Sequence, residues 1–320
     1  MSKQISELHV PVALERAVEV LGESLRKPGA VFVDCTLGLG GHTEAFLQRF
    51  PNIRVVAIDR DPQAIALATE RLKPFEGRID FVNTTYDNID EAIEELGIKH
   101  VDAILLDLGV SSMQLDERER GFAYSYEAPL DMRMNSTKGK TAAEVVNSYS
   151  EEKLAKIFFE YGEERYSKAI AKAIVSARTE KPFETSTELA ALIAKVVPFI
   201  PGKSTGHPAK RVFQALRIEV NEELDVLKAT MPRAIHALAI DGRILVMSYH
   251  SLEDRIVKQA LVAASTSSAP LDLPIELPEH APQLRLITKG AEAATPTEIE
   301  NNPRSASVKI RAAQKIRQAA

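Results

Sequence analysis

The chain has 320 residues, 45% of them hydrophobic, and a formal net charge of -5. This suits a globular protein of one large and one smaller domain, and it excludes a uniformly basic nucleic-acid binder, so any polyanion partner must meet local patches. The one cysteine, Cys35, excludes an internal disulfide, and neither a signal peptide nor a run of transmembrane length is evident, so a reducing cytoplasm without membrane contact is expected.

Residues 30–34 are an apolar, β-prone run ending in Asp34, followed by Gly38, Gly40 and Gly41 and a helix start over 41–50. Residues 54–59 predict a second strand. Residues 62–72, with Pro62 in a first-turn position and Ile65, Ala68 and Leu72 at helical spacing, predict a helix. A strand over 79–82, a helix over 89–96 and a strand over 101–107 follow. The last is too apolar for a one-sided sheet and suits a parallel sheet covered on both faces. From about 112 to 205 the chain reads as helical, with stripes at Leu154, Ile157, Phe158 and Tyr161, at Ile170, Ala173, Ile174 and Ala177, and at Leu189, Leu192, Ile193 and Val196. A long amphipathic stretch over 211–239 precedes a strand at 243–248. Residues 283–287 and 307–310 predict two closing strands at a sheet edge, and the Ser-, Pro- and acid-rich stretches 265–282 and 292–303 read as loops. The expected fold is therefore α/β, a Rossmann-like, mostly parallel sheet in a discontinuous domain (1–112 and 206–320), interrupted by an all-helical insertion (113–205).

The glycine turn after residue 34 indicates the ligand. A dinucleotide fingerprint reads G-x-G-x-x-G, whereas here Thr43 stands at the sixth position and Asp34 lies four residues before Gly38. This D-x-x-x-G-x-G arrangement resembles motif I of S-adenosylmethionine-dependent methyltransferases. Their ligand has no phosphate but carries a sulfonium, so an acid beside the turn is electrostatically sensible. Asp59, ending the second strand, is placed to hydrogen-bond ribose hydroxyls. Ligands of open parallel sheets bind beyond the carboxyl ends of the strands, which gathers Gly38–His42, Asp59, Tyr86, Asp107–Gln114 and Tyr249–Ser251 as candidates. A nicotinamide oxidoreductase is disfavoured by the missing third glycine and by the acid before the turn.

Longer blocks carry a more specific resemblance. Asp107-Leu-Gly-Val-Ser-Ser-Met-Gln-Leu-Asp116, Glu119-Arg-Gly-Phe122, Pro129-Leu-Asp-Met-Arg-Met134, Gly206-His-Pro-Ala-Lys-Arg-Val-Phe-Gln-Ala-Leu-Arg217, Met247-Ser-Tyr-His-Ser-Leu-Glu-Asp254 and Arg304-Ser-Ala-Ser-Val-Lys-Ile-Arg311 resemble the bacterial ribosomal RNA small-subunit methyltransferase H family. The resemblance runs from about His9 to Arg311. It implies a class I methyltransferase fold and transfer of a methyl group from S-adenosylmethionine to N4 of a cytidine in the decoding region of small-subunit ribosomal RNA, within the small ribosomal subunit. It also implies cofactor contacts at Gly40, Gly41, His42, Asp59, Tyr86, Asp107 and Gln114. The equivalent of Tyr86 is often Phe, as adenine stacking would tolerate, and Met113 stands where Pro is common.

A cytosine amine is a poor nucleophile because its lone pair is delocalised into the ring. It must be held in line with the S–CH3 bond, with reacting atoms about 3–3.5 Å apart. A carboxylate accepting its N–H would localise the lone pair and then take the proton. Asp107 is the candidate for that role, although the resemblance assigns it to the cofactor. The Asp/Asn-Pro-Pro-Tyr/Phe motif of many amino-methyltransferases is absent here, so stacking on the target base must come from Phe122, Tyr124, Tyr126 or Tyr249, of which Tyr249 is best placed. His42 and His250 lack metal-ligand spacing, so loop hydrogen bonding and no metal are expected. Lys203, His207, Lys210, Arg211 and Arg217, and a tail with Arg304, Lys309, Arg311, Lys315 and Arg317, are candidates for RNA phosphate. A non-catalytic RNA-binding assembly factor, or a methyltransferase acting on DNA or protein, remains an alternative reading of the residues alone.

Overall fold

In the computed structural model, which describes residues 11–198, 207–269 and 280–318, the chain divides into two contact units. One comprises Met1–Gly109 with Leu224–Ala320, the other Val110–Glu223. The first unit opens with α1 (Leu14–Gly22), then alternates β1 (Val31–Asp34), α2 (Gly41–Arg49), β2 (Arg54–Asp59), α3 (Pro62–Leu72), β3 (Ile79–Asn83), α4 (Ile89–Glu95) and β4 (Val101–Asp107). The second unit carries α5 (Ser112–Asp116), α6 (Ala142–Ser148), α7 (Glu151–Glu160), α8 (Ser167–Arg178), α9 (Ser186–Val196) and α10 (Lys210–Asn221). The chain then returns through α11 (Glu223–Ala237), β5 (Leu238–Ser248), α12 (Ser251–Ala264), β6 (Leu284–Leu286), α13 (Pro296–Asn301) and β7 (Lys309–Lys315).

The strands form one sheet in the order β3-β2-β1-β4-β5-β7-β6. Neighbours from β3 to β5 are parallel, and β7 runs antiparallel to both β5 and β6. Alternate residues of the central strands face opposite sides. Phe32, Val55, Ala57, Leu105, Leu245 and Met247 pack in one core with α1, α2 and α3. Val33, Val56, Ile58, Ile104, Leu106, Ile244 and Val246 pack in the other with α4, α11 and α12. Burial on both faces explains why these strands read as continuous apolar runs rather than as alternation.

Several features of the first unit differ from the sequence expectation, β5 starting at Leu238 rather than 243 among them. First, α1 was not anticipated, although Ala17, Val20 and Leu21 are buried at helical spacing. Second, β7 runs through Lys315 instead of ending at 310, because fully buried Lys315 donates from Nζ to the carbonyl of Ile235 at 2.8 Å and to Gln283 Oε1 at 3.3 Å. A lysine whose ammonium finds carbonyl acceptors inside the fold breaks the apolar pattern of a strand without breaking the strand. Third, α13 occupies part of the stretch read as a loop: Pro296 stands in its first turn, and Thr295 accepts a bond from the amide of Glu298. Part of the other expected loop, and Lys203, lie outside the described residues.

The second unit is helical around its own core, with only an isolated bridge between Pro129 and Thr185 outside the helices among its described residues. Its boundary differs from the expected 113–205. The helix α10 belongs to it, with Val212, Phe213, Ala215 and Leu216 in the same core as Leu154, Phe158 and Ile174. The amphipathic stretch 211–239 breaks at Glu222, whose φ of 53° ends α10 in a left-handed residue. The Glu119-Arg-Gly-Phe122 and Pro129-to-Met134 blocks are fastened to each other. Arg120 donates to the carbonyls of Arg133 and Met134, and Gly121 (φ +72°) passes so close that a Cβ there would lie 2.1 Å from the carbonyl oxygen of Pro129. Asn221 donates to the carbonyl of Met132 at 2.8 Å and accepts from the amide of Met134 at 2.7 Å. Met132 itself is left-handed, at φ 63°.

Asn221→Ala strands those two backbone groups in a buried setting. Each unsatisfied group costs about 1–3 kcal/mol, so urea unfolding of the full chain is expected to show a loss of roughly 2–4 kcal/mol.

Candidate active site

The turn after β1 is folded by acids rather than by glycine alone. Asp34, buried at the strand end, accepts from the Thr36 amide at 3.2 Å and from Thr43 Oγ1 on α2 at 2.8 Å. Asp59, at the end of β2, accepts from the Gly38 amide at 2.8 Å through one oxygen and from the Asp61 amide at 2.8 Å through the other. The backbone of the turn is tied into the sheet by Cys35 N–H to the Leu105 carbonyl and by Leu37 N–H to the Ile58 carbonyl. Gly38 and Gly40 take φ values of +51° and +76°, which side chains rarely adopt. A Cβ on Gly40 would also lie 2.9 Å from Leu72 of α3, so glycine there lets α3 close on the turn.

At the end of β4, the Asp107 amide donates to Thr36 Oγ1 at 2.7 Å, joining this strand end to the turn. The Asp107 carboxylate accepts from Tyr249 Oη through Oδ1 at 2.6 Å. Its Oδ2 lies 3.9 Å from His42 Nδ1. His42 is buried in the first turn of α2, with Nε2 at 2.9 Å from the carbonyl of Val12. A carbonyl can only accept, so Nε2 carries the proton and the neutral ring presents Nδ1 as a bare acceptor. The expectation of a loop-bonding histidine thus takes a specific form.

Desolvation dominates the electrostatics. Burial raises Asp34 to about 6, against the pull of His42 and of its hydrogen bonds. Burial also raises Asp59 to about 6, offset by the amides of Asp61 and Gly38. Asp107 is pushed up to about 7, by burial first and then by the charge of Glu253, while the Tyr249 hydroxyl pulls it down. His42 is lowered by burial, which keeps the ring neutral. The hydrogen-bond donors on Asp34, Asp59 and Asp107 are backbone amides and hydroxyls, and the positive charge of Arg60 also favours the charged form of Asp59. A crevice of strained carboxylates favours a cationic ligand and repels a pyrophosphate. The donor set therefore fits a sulfonium-bearing nucleoside.

Of the remaining candidates, Tyr86 is half-buried in a turn directly after β3. Gln114 belongs to the second unit, where it is buried and its Oε1 accepts from the Ser111 amide in a capping box. Lys210 and Arg211 are exposed at the start of α10, with Arg211 donating to the carbonyl of Glu163. Arg217 does not stand free for phosphate: it holds Glu223 at 2.8 and 2.9 Å in a two-pronged ion pair. The basic tail is likewise engaged, with Arg311 and Lys309 on Asp254, Lys315 buried, and Arg317 donating to Ala281. Of the aromatic candidates, Phe122 is core, Tyr124 packs against His207 and Phe213, and Tyr126 donates to the Leu115 carbonyl. Sequence reasoning missed Thr36 and Thr43, the hydroxyls that tie the turn to Asp107 and Asp34. Their only signal was position, on either side of a glycine run that drew the attention. Among the described residues no group of three His, Cys, Asp or Glu side chains could hold a metal, and no helix is long and apolar enough to cross a membrane.

A sheet ordered 3-2-1-4-5-7-6 with its seventh strand reversed is that of the class I methyltransferases. The chain belongs to the MraW methylase family, whose model matches residues 6–316. It is 56% identical to the ribosomal RNA small subunit methyltransferase H of Pseudarthrobacter chlorophenolicus, over 98% of this chain and 97% of that one. It is 57% identical to the protein of the same name from Nocardia farcinica, over 96% of each chain. The Renibacterium salmoninarum counterpart is 54% identical over 97% of this chain and 95% of its own.

The raised Asp107 carboxyl yields a stability prediction. Its proton is held more tightly in the folded protein than in the unfolded chain, where the ordinary value is 3.8. Its contribution to stability is therefore full below about 4 and is lost as pH rises through about 7. Asn at this position never charges. Asp107→Asn is expected to gain on the parent enzyme, by on the order of 1–4 kcal/mol, as unfolding is measured from pH 4 to pH 8.

Proposed function

We propose that the chain methylates the exocyclic N4 of a cytidine in the decoding region of small-subunit ribosomal RNA, with S-adenosylmethionine as donor and the small ribosomal subunit as the setting. The observation that carries this reading is the identity, above one half and nearly end to end, to proteins named ribosomal RNA small subunit methyltransferase H. The acid-lined turn supports it chemically.

In this reading Gly40, Gly41 and His42 bring the start of α2 up to the cofactor, Asp59 accepts from the ribose, and Tyr86 offers a flat face to the adenine. Gln114 is carried to the cofactor by the family resemblance. Bound S-adenosylmethionine supplies an electrophilic methyl group. Asp107 then acts on the other reactant. Its carboxylate accepts an N–H of the cytosine amine, which localises the nitrogen lone pair for attack, and takes the proton as the C–N bond forms and the S–CH3 bond breaks. The electron pair of the S–CH3 bond leaves with the sulfur as a neutral thioether. A carboxyl poised near 7 is suited to holding and releasing that proton near neutral pH. Lys210 and Arg211 are the phosphate contacts of this proposal, whereas Arg217 acts through Glu223 as a strut.

The test incubates the enzyme with isotopically labelled S-adenosylmethionine and undermethylated small subunits, then digests the RNA and reads nucleosides by mass spectrometry. Label is expected in N4-methylcytidine. Label in another nucleoside, or none with the cofactor bound, overturns the proposed target. Removing one phosphate contact by Arg211→Ala should make the log–log dependence of RNA binding on salt shallower by about 0.7–0.9; an unchanged slope removes Arg211 from the RNA surface.

A further inference from the structure

Tyr249 stands at the carboxyl end of β5, where an aromatic residue beside the site invites a stacking role. The structure gives its ring other neighbours. The ring is partly buried against the apolar core that holds Phe32, Leu105 and Met247, and its Cδ2 is the nearest neighbour, at 3.7 Å, of a Cβ built on Gly109. The hydroxyl reaches across to Asp107 Oδ1 at 2.6 Å. Such a short O–H to carboxylate contact is in the strong, charge-assisted range. Its backbone is also pinned. Glu253, buried on the first turn of α12, accepts from the Tyr249 amide at 2.8 Å and from the His250 amide at 3.3 Å. The Met247-to-Asp254 block and the Asp107-to-Asp116 block, separate in sequence, thus meet through the phenol as well as through the backbone, where Asp107 pairs with Met247 and the Leu108 amide donates to the Met247 carbonyl.

The Asp107 carboxylate has two oxygens in different circumstances. Oδ1 receives the phenol proton. Oδ2 faces His42 Nδ1 at 3.9 Å, and since that nitrogen is an acceptor when Nε2–H serves Val12, it offers Oδ2 no proton. Among the described residues no hydrogen-bond donor is found on Oδ2, which keeps its accepting capacity. The charged and titratable groups around the carboxylate are His42 on α2, Asp34 at the end of β1 and Glu253 on α12.

We propose that Tyr249 is a positioning residue for methyl transfer: its hydroxyl clamps Oδ1 of Asp107, fixing the carboxylate so that Oδ2 is the oxygen presented to the N–H of the substrate amine. The inference rests on the catalytic reading of Asp107. In this arrangement the phenol keeps its proton throughout, because burial and the neighbouring carboxylate push its ionisation well above the ordinary range. The amine proton passes to Oδ2 and not to the tyrosine. The hydroxyl also favours the charged carboxylate, so it sets where on the pH scale Asp107 becomes able to accept.

Tyr249→Phe separates the two roles, since phenylalanine keeps a stacking face and the packing but loses the clamp. Loss of a hydrogen bond to a charged group corresponds to about a 10- to 100-fold fall in turnover. The expected result is a fall of that size in a variant whose thermal unfolding is near that of the parent. The rising limb of kcat/KM against pH should move to higher pH, since the bond that favours the charged form is gone. Added to Asp107→Asn, the same change should cost less than about threefold, because nothing remains to be clamped. A Tyr249→Phe enzyme with parental turnover and an unmoved limb overturns the proposal and returns Tyr249 to stacking. Losses that multiply in the double variant also overturn it. If Asp107→Asn retains full turnover, the catalytic reading of Asp107 fails, whatever Tyr249→Phe does. Should the double variant be too slow to time, the limb position in Tyr249→Phe alone decides.

Discussion

Carboxylates placed at the carboxyl ends of buried parallel strands and held there by amide and hydroxyl donors are the constraint on which the site depends. A buried charge left without donors costs several kcal/mol, more than the roughly 1 kcal/mol that separates glycine from other residues in an awkward backbone. The acids therefore dictate the loops. Asp34 holds the turn through Thr36 and Thr43, Asp59 holds it from the other side through Gly38, and Asp107 draws in Tyr249. The glycines permit this shape, and the acids select it.

The same arrangement explains how a site can be ordered and still reactive. The donors that satisfy the three carboxylates are neutral N–H and O–H groups, which orient the oxygens without neutralising their charge. Burial then raises all three above the ordinary carboxylate range. A ligand bearing positive charge relieves this tension, and a ligand bearing phosphate deepens it. Specificity for a sulfonium nucleoside over a dinucleotide is thus built into the electrostatics before any single contact is counted.

Much of this was legible in the sequence where local chemistry and tertiary role coincide. The parallel strands β1, β2, β4 and β5 announced themselves as apolar runs because both faces of the sheet are covered there, and Asp59 and the glycine turn stand at the ends of β2 and β1. What stayed hidden was what depends on partners distant in the chain. The reach of β7 to Lys315 depends on carbonyl acceptors that the pattern of β7 itself does not contain. The assignment of α10 to the helical unit rested on which core its apolar face joins, and α10 and α11 show the same helical period. Arg217 looked like a free cation because Glu223, its partner, lies beyond the helix end. Tyr249 was readable as a residue at the end of β5, but its hydroxyl's partner, Asp107, belongs to another strand.

The strand order also has a consequence for synthesis. In the sheet β4 lies between β1 and β5, yet the whole helical unit is made before β5. At about 5–20 residues per second, the edge of β4 waits on the order of ten seconds for its neighbour. The helical unit, contiguous in sequence, has all its core residues available during that interval. The last-made of the named strands, β7, is an inner one, and β6 can join only through it. A nascent chain therefore carries an open β5 edge until β7 has emerged, which makes the interval between β5 and β7 one of exposure to mispairing and to holding chaperones.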